Sequence, residues 1–424
     1  MFQRTGPKAF KKDLTNIKVL GQKLGNPQSN LTCIHIAGTN GKGSVAHMLA
    51  AVFTAAGYKT GLYTSPHYRD FRERIKINGA LIPKKEVVQF VAENRPIFED
   101  TKASFFEWTV ALAFHYFNKE KVEMAIIETG LGGRLDSTNI ITPMLSVITN
   151  IGFDHVKFLG DTLPKIAREK AGIIKPNVPV LIGERQAETT TVFEQTANHK
   201  NAPLYFADNL CQVSRLTDDA THAFYKVELK KSNTFAAIEP NLNQIKLQHL
   251  AHYQQRNLRT SLAALIVFKK YYPDWFDKNF TESLAVGFNQ LKSLSNYLGR
   301  WEFISNDPKI LIDSAHNEDG VRQLVTELKK IAFNRLHFVL GIVKDKAPDK
   351  VFNQLPKNAT YYFAKANIPR GMDAKALQTI AAEFGLYGKY YSSIRRALAA
   401  AKISYKEGDL IFVGGSIFTV AEVL

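Results

Sequence analysis

The chain has 424 residues, 45% of them hydrophobic and 22% charged, with 55 lysines and arginines against 39 aspartates and glutamates for a formal charge of +16. That composition excludes a disordered chain, and the length predicts two or three domains with cores of their own. The longest apolar runs, such as LAALIVF at 262–268, fall far short of the ~20 residues of a membrane span.

The N-terminus, MFQRTGPKAFKK, is basic but lacks the apolar stretch of a secretory signal, so a cytoplasmic protein with no membrane partner is expected. Cys33 and Cys211 give neither a disulfide framework nor metal-ligand spacing and read as structural. The positive charge favours anionic partners, whether nucleic acid, nucleotide or polycarboxylate. Its lysines and arginines are scattered, with no zinc finger, RNP motif or basic tail, which favours a solvated basic surface over nucleic-acid binding.

In chain order, LTCIHIA at 31–37 is a buried-strand run, followed by a glycine-rich loop and then VAHMLAAVFTAA at 45–56, a helix ended by Gly57. Residues 60–63 read as a short strand, 105–117 as a helix, and VEMAIIE at 122–128 and MLSVIT at 144–149 as strands. Apolar strands alternating with helices predict a parallel sheet covered on both faces. The stretch 202–248 is richer in alternating polar positions and predicts an antiparallel flap, and 253–272 predicts a long amphipathic helix.

A second α/β series begins near residue 300. Strands are expected at 309–313, 336–340, 360–363 and 410–413, with a helix at 318–331. The fold class is therefore α/β, with a first domain at 1–295 and a smaller Rossmann-like domain at 296–424, joined near SLSNYLGR at 293–300.

The loop HIAGTNGKGSVAHML at 35–49 departs from the ordinary G-x-x-x-x-G-K-[ST] spacing, yet all the working parts of a phosphate-binding loop are present. Gly38, Gly41 and Gly43 allow close backbone approach, Lys42 supplies charge for the outer phosphates, and Ser44 supplies a hydroxyl at the helix start. Asn40, Gly41, Lys42, Gly43 and Ser44 are accordingly the ATP-binding candidates. A strand before and a helix after give the loop its required context.

GTNGKGS resembles the loop of the Mur ligase superfamily, and LGNPQSNLTCIHIAGTNGKGS is similar to its folylpolyglutamate synthase and dihydrofolate synthase branch. The resemblance continues through LYTSPHYRDFRERIKING, IIETGLGGRLDSTNII, ITNIGFDH, REKAGIIK, QQRN, GRWE, DSAHNEDG, GIVKDK and IFVGGS. Ser314, Glu318 and Gly414 stand where glycine, proline and threonine are common in that pattern. The fold it implies is Mur-ligase-like, a P-loop ATPase domain with a parallel sheet plus a smaller Rossmann-like C-terminal domain.

The activity implied is ATP-dependent amide-bond formation. A folate carboxylate attacks the γ-phosphate to give an acyl phosphate, and the amino group of L-glutamate displaces phosphate. Reduced folate or dihydropteroate, ATP and L-glutamate are then the partners, Mg²⁺ the metal, and a monomer is expected. By the resemblance, Ser65, Glu128 and His155 hold metal; Asn257, Arg300 and Asp313 hold ATP, the latter two from the second domain across a cleft; His316 and Ser416 face glutamate. Taken alone, Ser65 is a turn residue, His155 a structural histidine, Arg300 a linker cation and Asp313 a helix cap.

Lys170, in REKAGIIK, reads alone as a solvated helix lysine. The resemblance sets it beside the metal, where a unit positive charge about 4 Å from a divalent ion costs roughly 8 kcal/mol at an effective dielectric near 20. Carbamylation by CO₂ reverses that sign, so carbamylated Lys170 is expected as a metal ligand, with Lys42, Lys170 and His155 as the catalytic set. Two other readings stay open: a Mur-type ligase joining an amino acid to a cell-wall nucleotide precursor, and a nucleotide- or nucleic-acid-binding ATPase that makes no amide bond.

Overall fold

The computed structural model describes residues 13–230, 244–276, 279–344 and 348–424. The expectation for MFQRTGPKAFKK and the Asp345–Lys346 end of GIVKDK lie outside the described residues. The described chain forms two compact units, one of 13–67 with Arg72–Tyr297, the other of Tyr68–Phe71 with Leu298–Leu424.

The strands of the first unit are β1 (Cys33–Ala37), β2 (Thr60–Tyr63), β3 (Ile75–Ile77), β4 (Ala80–Leu81), β5 (Met124–Glu128), β6 (Leu145–Ile148), β7 (Val180–Ile182) and β8 (Leu204–Phe206). They build one sheet in the order β4-β3-β2-β5-β1-β6-β7-β8. Every pairing from β2 through β8 is parallel, while β3 and β4 add an antiparallel edge hairpin. All residues of β1, β5 and β6 are buried, as expected of parallel strands covered on both faces.

The helix after β1, α1 (Lys42–Ala55), starts three residues earlier than the apolar pattern suggested. Its first turn, Lys42-Gly43-Ser44, is polar and carries no hydrophobic period, so the pattern marks only the packed part. Ser44 through Phe53 are all buried, because helices cover α1 on the side away from the sheet. One of them, Phe280–Asn289, comes so near that a methyl on Gly287 would stand 2.7 Å from Val52 Cα. Phe53 anchors the same layer, edge-on to Phe268 at 5.2 Å and to Trp275 at 6.0 Å.

The flap is present as a three-stranded antiparallel sheet of β9 (Cys211–Asp218), β10 (Ala223–Leu229) and β11 (Gln244–Leu247). It is shorter than the composition implied: 204–206 belongs to the main sheet as its parallel edge strand β8. The amphipathic pattern at 253–272 is the helix α2 (Gln254–Tyr271).

The second unit is a six-stranded sheet of β12 (Glu302–Asn306), β13 (Lys309–Asp313), β14 (Leu336–Leu340), β15 (Thr360–Ala364), β16 (Gly388–Tyr391) and β17 (Leu410–Gly414). Its order is β12-β13-β17-β14-β15-β16, parallel except for β12. β12 and β16 escape the sequence pattern because they are half-exposed edges without an apolar run. Among the described residues no helix is long and apolar enough to cross a membrane.

Candidate active site

Three loops converge at the carboxyl edge of the first sheet, after β1, β5 and β6, the edge where open α/β sheets bind ligands. The loop after β1 is laced to the one after β6. Thr39 N donates to Asn150 O at 2.9 Å and Asn40 N to Asn150 Oδ1 at 2.9 Å. Thr149 Oγ1 donates to Asn40 O at 2.6 Å, and Thr39 Oγ1 bonds Gly152 through both N–H and C=O, at 2.9 and 3.1 Å. Two glycines are obligatory: at Gly38 (φ +149°) a methyl would lie 1.9 Å from Thr149 Oγ1, and at Gly41 (φ +83°) 2.2 Å from Asn257 Oδ1.

The first helical bond of α1 runs from Val45 N to Gly41 O at 2.9 Å. The N–H groups of Lys42, Gly43 and Ser44 therefore belong to the helix start that has no acceptor within the helix, the geometry that binds anions. Lys42 folds back over the loop, its Nζ donating to Gly38 O at 3.0 Å and Thr39 O at 3.3 Å.

Lys170 arrives at the same carbonyl from the last turn of the helix Leu163–Ala171. Its Nζ donates to Gly38 O at 2.8 Å. The glycine-rich loop 130–136 fixes that turn: Arg134 N donates to Glu169 O at 2.7 Å, and methyls on Gly133 and Gly172 would meet backbone at 2.8 and 2.3 Å. Asp136 ties the loop by accepting from Leu131 N at 2.7 Å and Thr138 Oγ1 at 2.6 Å. Lys170 is 3% exposed, so the expectation of a solvated lysine is wrong for this side chain. Burial first, and the nearby Lys42 charge second, push its amine down to about 7, against the opposing pull of Asp154 and Asp136.

Glu128 ends β5, beside the loop. Its Oε2 accepts from Ser65 N at 3.0 Å, and a methyl on Gly43 would lie 3.7 and 3.8 Å from its two oxygens. The carboxylate is buried and adjoins the start of α1, where a Walker-B-like acid belongs. His155 sits in an exposed loop with φ +49°, its Nε2 3.9 Å from Asp154 Oδ2. Glu128, Ser65 and the loop are thus brought together, as are Lys42 and Lys170. Among the described residues, no three His, Cys, Asp or Glu side chains form a ready metal cluster. The donor set of a carboxylate and a hydroxyl nevertheless suits Mg²⁺, a hard cation that keeps several waters.

On α2, Asn257 Nδ2 donates to Gln254 Oε1 at 2.7 Å, and its own Oδ1 faces Gly41. Ser44 Oγ lies 2.8 Å from Tyr297 Oη. Gln254 and Tyr297 were not singled out by the sequence; QQRN contained the first, and nothing marked the second.

In the second unit Asp313, at the end of β13, accepts from Trp301 N at 2.9 Å and Ala315 N at 2.7 Å. It is not a helix cap: that role falls to Asn317, which accepts from Gly320 N at 2.8 Å. Asp313 pairs in register with Gly414 of β17. Tyr68 Oη donates to Gly299 O at 2.9 Å, and a methyl on Gly299 would lie 2.2 Å from the Tyr68 ring, which fixes the backbone beside half-buried Arg300. His316 Nδ1 donates to Ser314 O at 3.0 Å. Ser416 is taken up as a helix cap, accepting from Thr419 N at 3.1 Å.

Comparison with known proteins decides the family. Residues 36–265 match the Mur ligase middle domain and 299–417 the Mur ligase glutamate ligase domain. The chain is 33% identical over 380 residues, 87% of its length, to the dihydrofolate synthase/folylpolyglutamate synthase of Bacillus subtilis, of which it covers 84%. The chain belongs to the folylpolyglutamate and dihydrofolate synthase branch of the Mur ligases. Folylpolyglutamate synthase of Lacticaseibacillus casei is 32% identical, with 97% of this chain and 93% of that one aligned.

A probable bifunctional folylpolyglutamate synthase/dihydropteroate synthase of Haloferax volcanii is 30% identical over 96% of the chain, which spans 47% of that longer protein. Among solved structures, Mycobacterium tuberculosis folylpolyglutamate synthase complexed with ADP aligns with a TM-score of 0.86 at 28% identity, covering 98% of this chain and 95% of that one. Escherichia coli FolC in complex with DHPP and ADP aligns at 0.82 and 27%, covering 100% and 95%. The protein is an ATP-dependent ligase of the Mur ligase fold.

Proposed function

We propose that this ligase adds L-glutamate to the free carboxylate of a folate, and to dihydropteroate, through an acyl phosphate. The observation that carries the reading is the loop itself: a helix start, Lys42 and the acid Glu128 at one sheet edge, as phosphoryl transfer to a carboxylate requires. The N–H groups at the start of α1 cradle the triphosphate, and Lys42 leaves the Gly38 and Thr39 carbonyls to bridge its outer phosphates. Asn257, Arg300 and Asp313 hold the nucleoside, and His316 and Ser416 meet glutamate.

Glu128 and Ser65, with His155 and carbamylated Lys170, would hold Mg²⁺, which when bound neutralises charge developing on the phosphates. A buried amine pushed down to about 7 supports the modification, because a substantial neutral fraction is available near neutral pH to attack CO₂. The nitrogen forms a bond to carbon, one C–O bond order becomes an oxygen anion, and a proton leaves to solvent. A divalent ion beside this position favours the anionic product over the ammonium.

The enzyme acts as a monomer in the cytoplasm, on small molecules and not on nucleic acid. The test is ADP formation with glutamate and, in parallel, dihydropteroate, tetrahydrofolate and a UDP-linked cell-wall precursor. Turnover with either pterin acid supports the reading; turnover confined to the UDP-linked precursor replaces it with the Mur-type alternative.

A further inference from the structure

The loop serine is not held by the loop. Ser44 Oγ lies 2.8 Å from Tyr297 Oη, and Gln254 Nε2 donates to both, at 2.8 Å to the tyrosine and 3.3 Å to the serine. The other end of the same amide, Oε1, accepts from Asn257 Nδ2 at 2.7 Å. Gln254 is 0% exposed and Tyr297 4%. One buried side chain therefore joins the hydroxyl on the first turn of α1 to the amide standing over Gly41.

The direction of this array matters. Because Gln254 offers its nitrogen to two oxygens, its carbonyl oxygen is left for Asn257, and Asn257 must turn its own nitrogen toward it. Its Oδ1 then faces Gly41, in the position a methyl on Gly41 would overlap at 2.2 Å. Reversing the glutamine amide alone would set nitrogen against nitrogen at Asn257, even though the two hydroxyls can donate to its oxygen. The two amides are therefore oriented together, and in a buried setting an unsatisfied member costs more than the bond itself is worth.

We propose that Gln254 and Tyr297 are positioning residues for nucleotide binding, acting through Ser44 and Asn257. The proposal rests on the assignment of the Gly38–Ser44 loop and Asn257 to the nucleotide. Tyr297 keeps its ring in place without the hydroxyl, by edge contact with His47 at 5.0 Å and a tilted contact with His249 at 5.7 Å, which makes Tyr297→Phe a clean probe.

ADP affinity, measured by calorimetry with Mg²⁺ on the full chain beside thermal unfolding, tests it in six proteins: the parent, Lys42→Ala, Gln254→Met, Tyr297→Phe, Ser44→Ala and the double variant of the last two. Loss of one hydrogen bond should weaken ADP about fivefold in Tyr297→Phe, raise KM for ATP alike, and leave KM for the folate unchanged. Since the tyrosine acts through the serine, Tyr297→Phe should add little in the Ser44→Ala background. Gln254→Met, close in shape, should weaken ADP roughly tenfold or more because both ends of the array are lost.

Parent-like ADP affinity in Tyr297→Phe and Gln254→Met overturns the proposal, as does an effect of Tyr297→Phe that adds fully to that of Ser44→Ala. Should Gln254→Met not fold, the tyrosine and serine cycle decides alone. Unchanged affinity in Lys42→Ala indicts the loop assignment instead, so the two failures are told apart.

Discussion

Lys42 and Lys170 donate to the same carbonyl oxygen, that of Gly38, at 3.0 and 2.8 Å. Two ammonium groups on one oxygen repel, and the buried one of the pair is the one whose amine is pushed down to about 7. The modification proposed for Lys170 would remove one of these two positive charges.

Lys170→Ala should lose at least about a hundredfold in turnover, comparable to removing a charge-stabilising group from a phosphoryl-transfer site. Acetate should restore part of it, because the small carboxylate fits the vacated space and returns the missing charge. Steady-state ADP release with and without acetate checks this, and parent-level activity in Lys170→Ala would remove the residue from the mechanism.

The same lysine sets a pH dependence. Its folded value of about 7 lies below the ordinary 10.5, so between the two the unfolded chain binds the extra proton and the fold gains stability as pH rises. Below about 7 the folded state carries the full penalty of a buried ammonium. At fixed CO₂ concentration the carbamate, and with it activity, should rise as pH passes upward through about 7. Denaturation midpoints at pH 6 to 9, compared between the parent and Lys170→Met, should show the slope in the parent and a flatter course in the variant.

Glu128→Gln keeps the shape and the acceptor for Ser65 N, seen at 3.0 Å, but removes the charge. The Mg²⁺ concentration for half-maximal activity should rise about tenfold or more, the worth of one charged ligand, with little change in melting temperature. An unchanged Mg²⁺ requirement would exclude Glu128 from the metal site.

Much of this was legible in the sequence, for physical reasons. Buried parallel strands are apolar runs, so β1, β5, β6, β13, β14 and β17 stand out. The edge hairpin β3–β4 and the strands β12 and β16 do not, because edges alternate or stay polar. At the site, Lys42 lies in a glycine loop whose residues point to phosphate, Glu128 stands at a strand end, and Asn257 is reached only through the resemblance of QQRN. The burial of Lys170 is not legible, since a helix with Lys165, Arg168 and Lys175 around it reads as solvated until the glycine loop 130–136 is seen to cover its last turn. Tyr297 was invisible for a different reason: its partners, Ser44 and Gln254, are 253 and 43 residues away.

The packing of α1 gives a stability test separate from chemistry. Gly287→Ala would set a methyl 2.7 Å from Val52 Cα, backbone that cannot yield without moving the helix. Overpacking of that kind should cost about 1–3 kcal/mol, read as a lower denaturation midpoint with the ADP affinity of the folded fraction retained. A midpoint equal to the parent's would mean that the two helices are not in close contact at this point.

On the proposed reading, phosphoryl transfer here serves amide-bond formation. It is tested most directly by following ADP release and product mass together, with ATP, a pterin carboxylate and L-glutamate supplied and each omitted in turn. The expected result is one glutamate added for each ADP released, with release falling to background when either the pterin acid or glutamate is left out. Sustained ADP release that needs neither acid nor glutamate, or ADP formed without any glutamylated product, would contradict it.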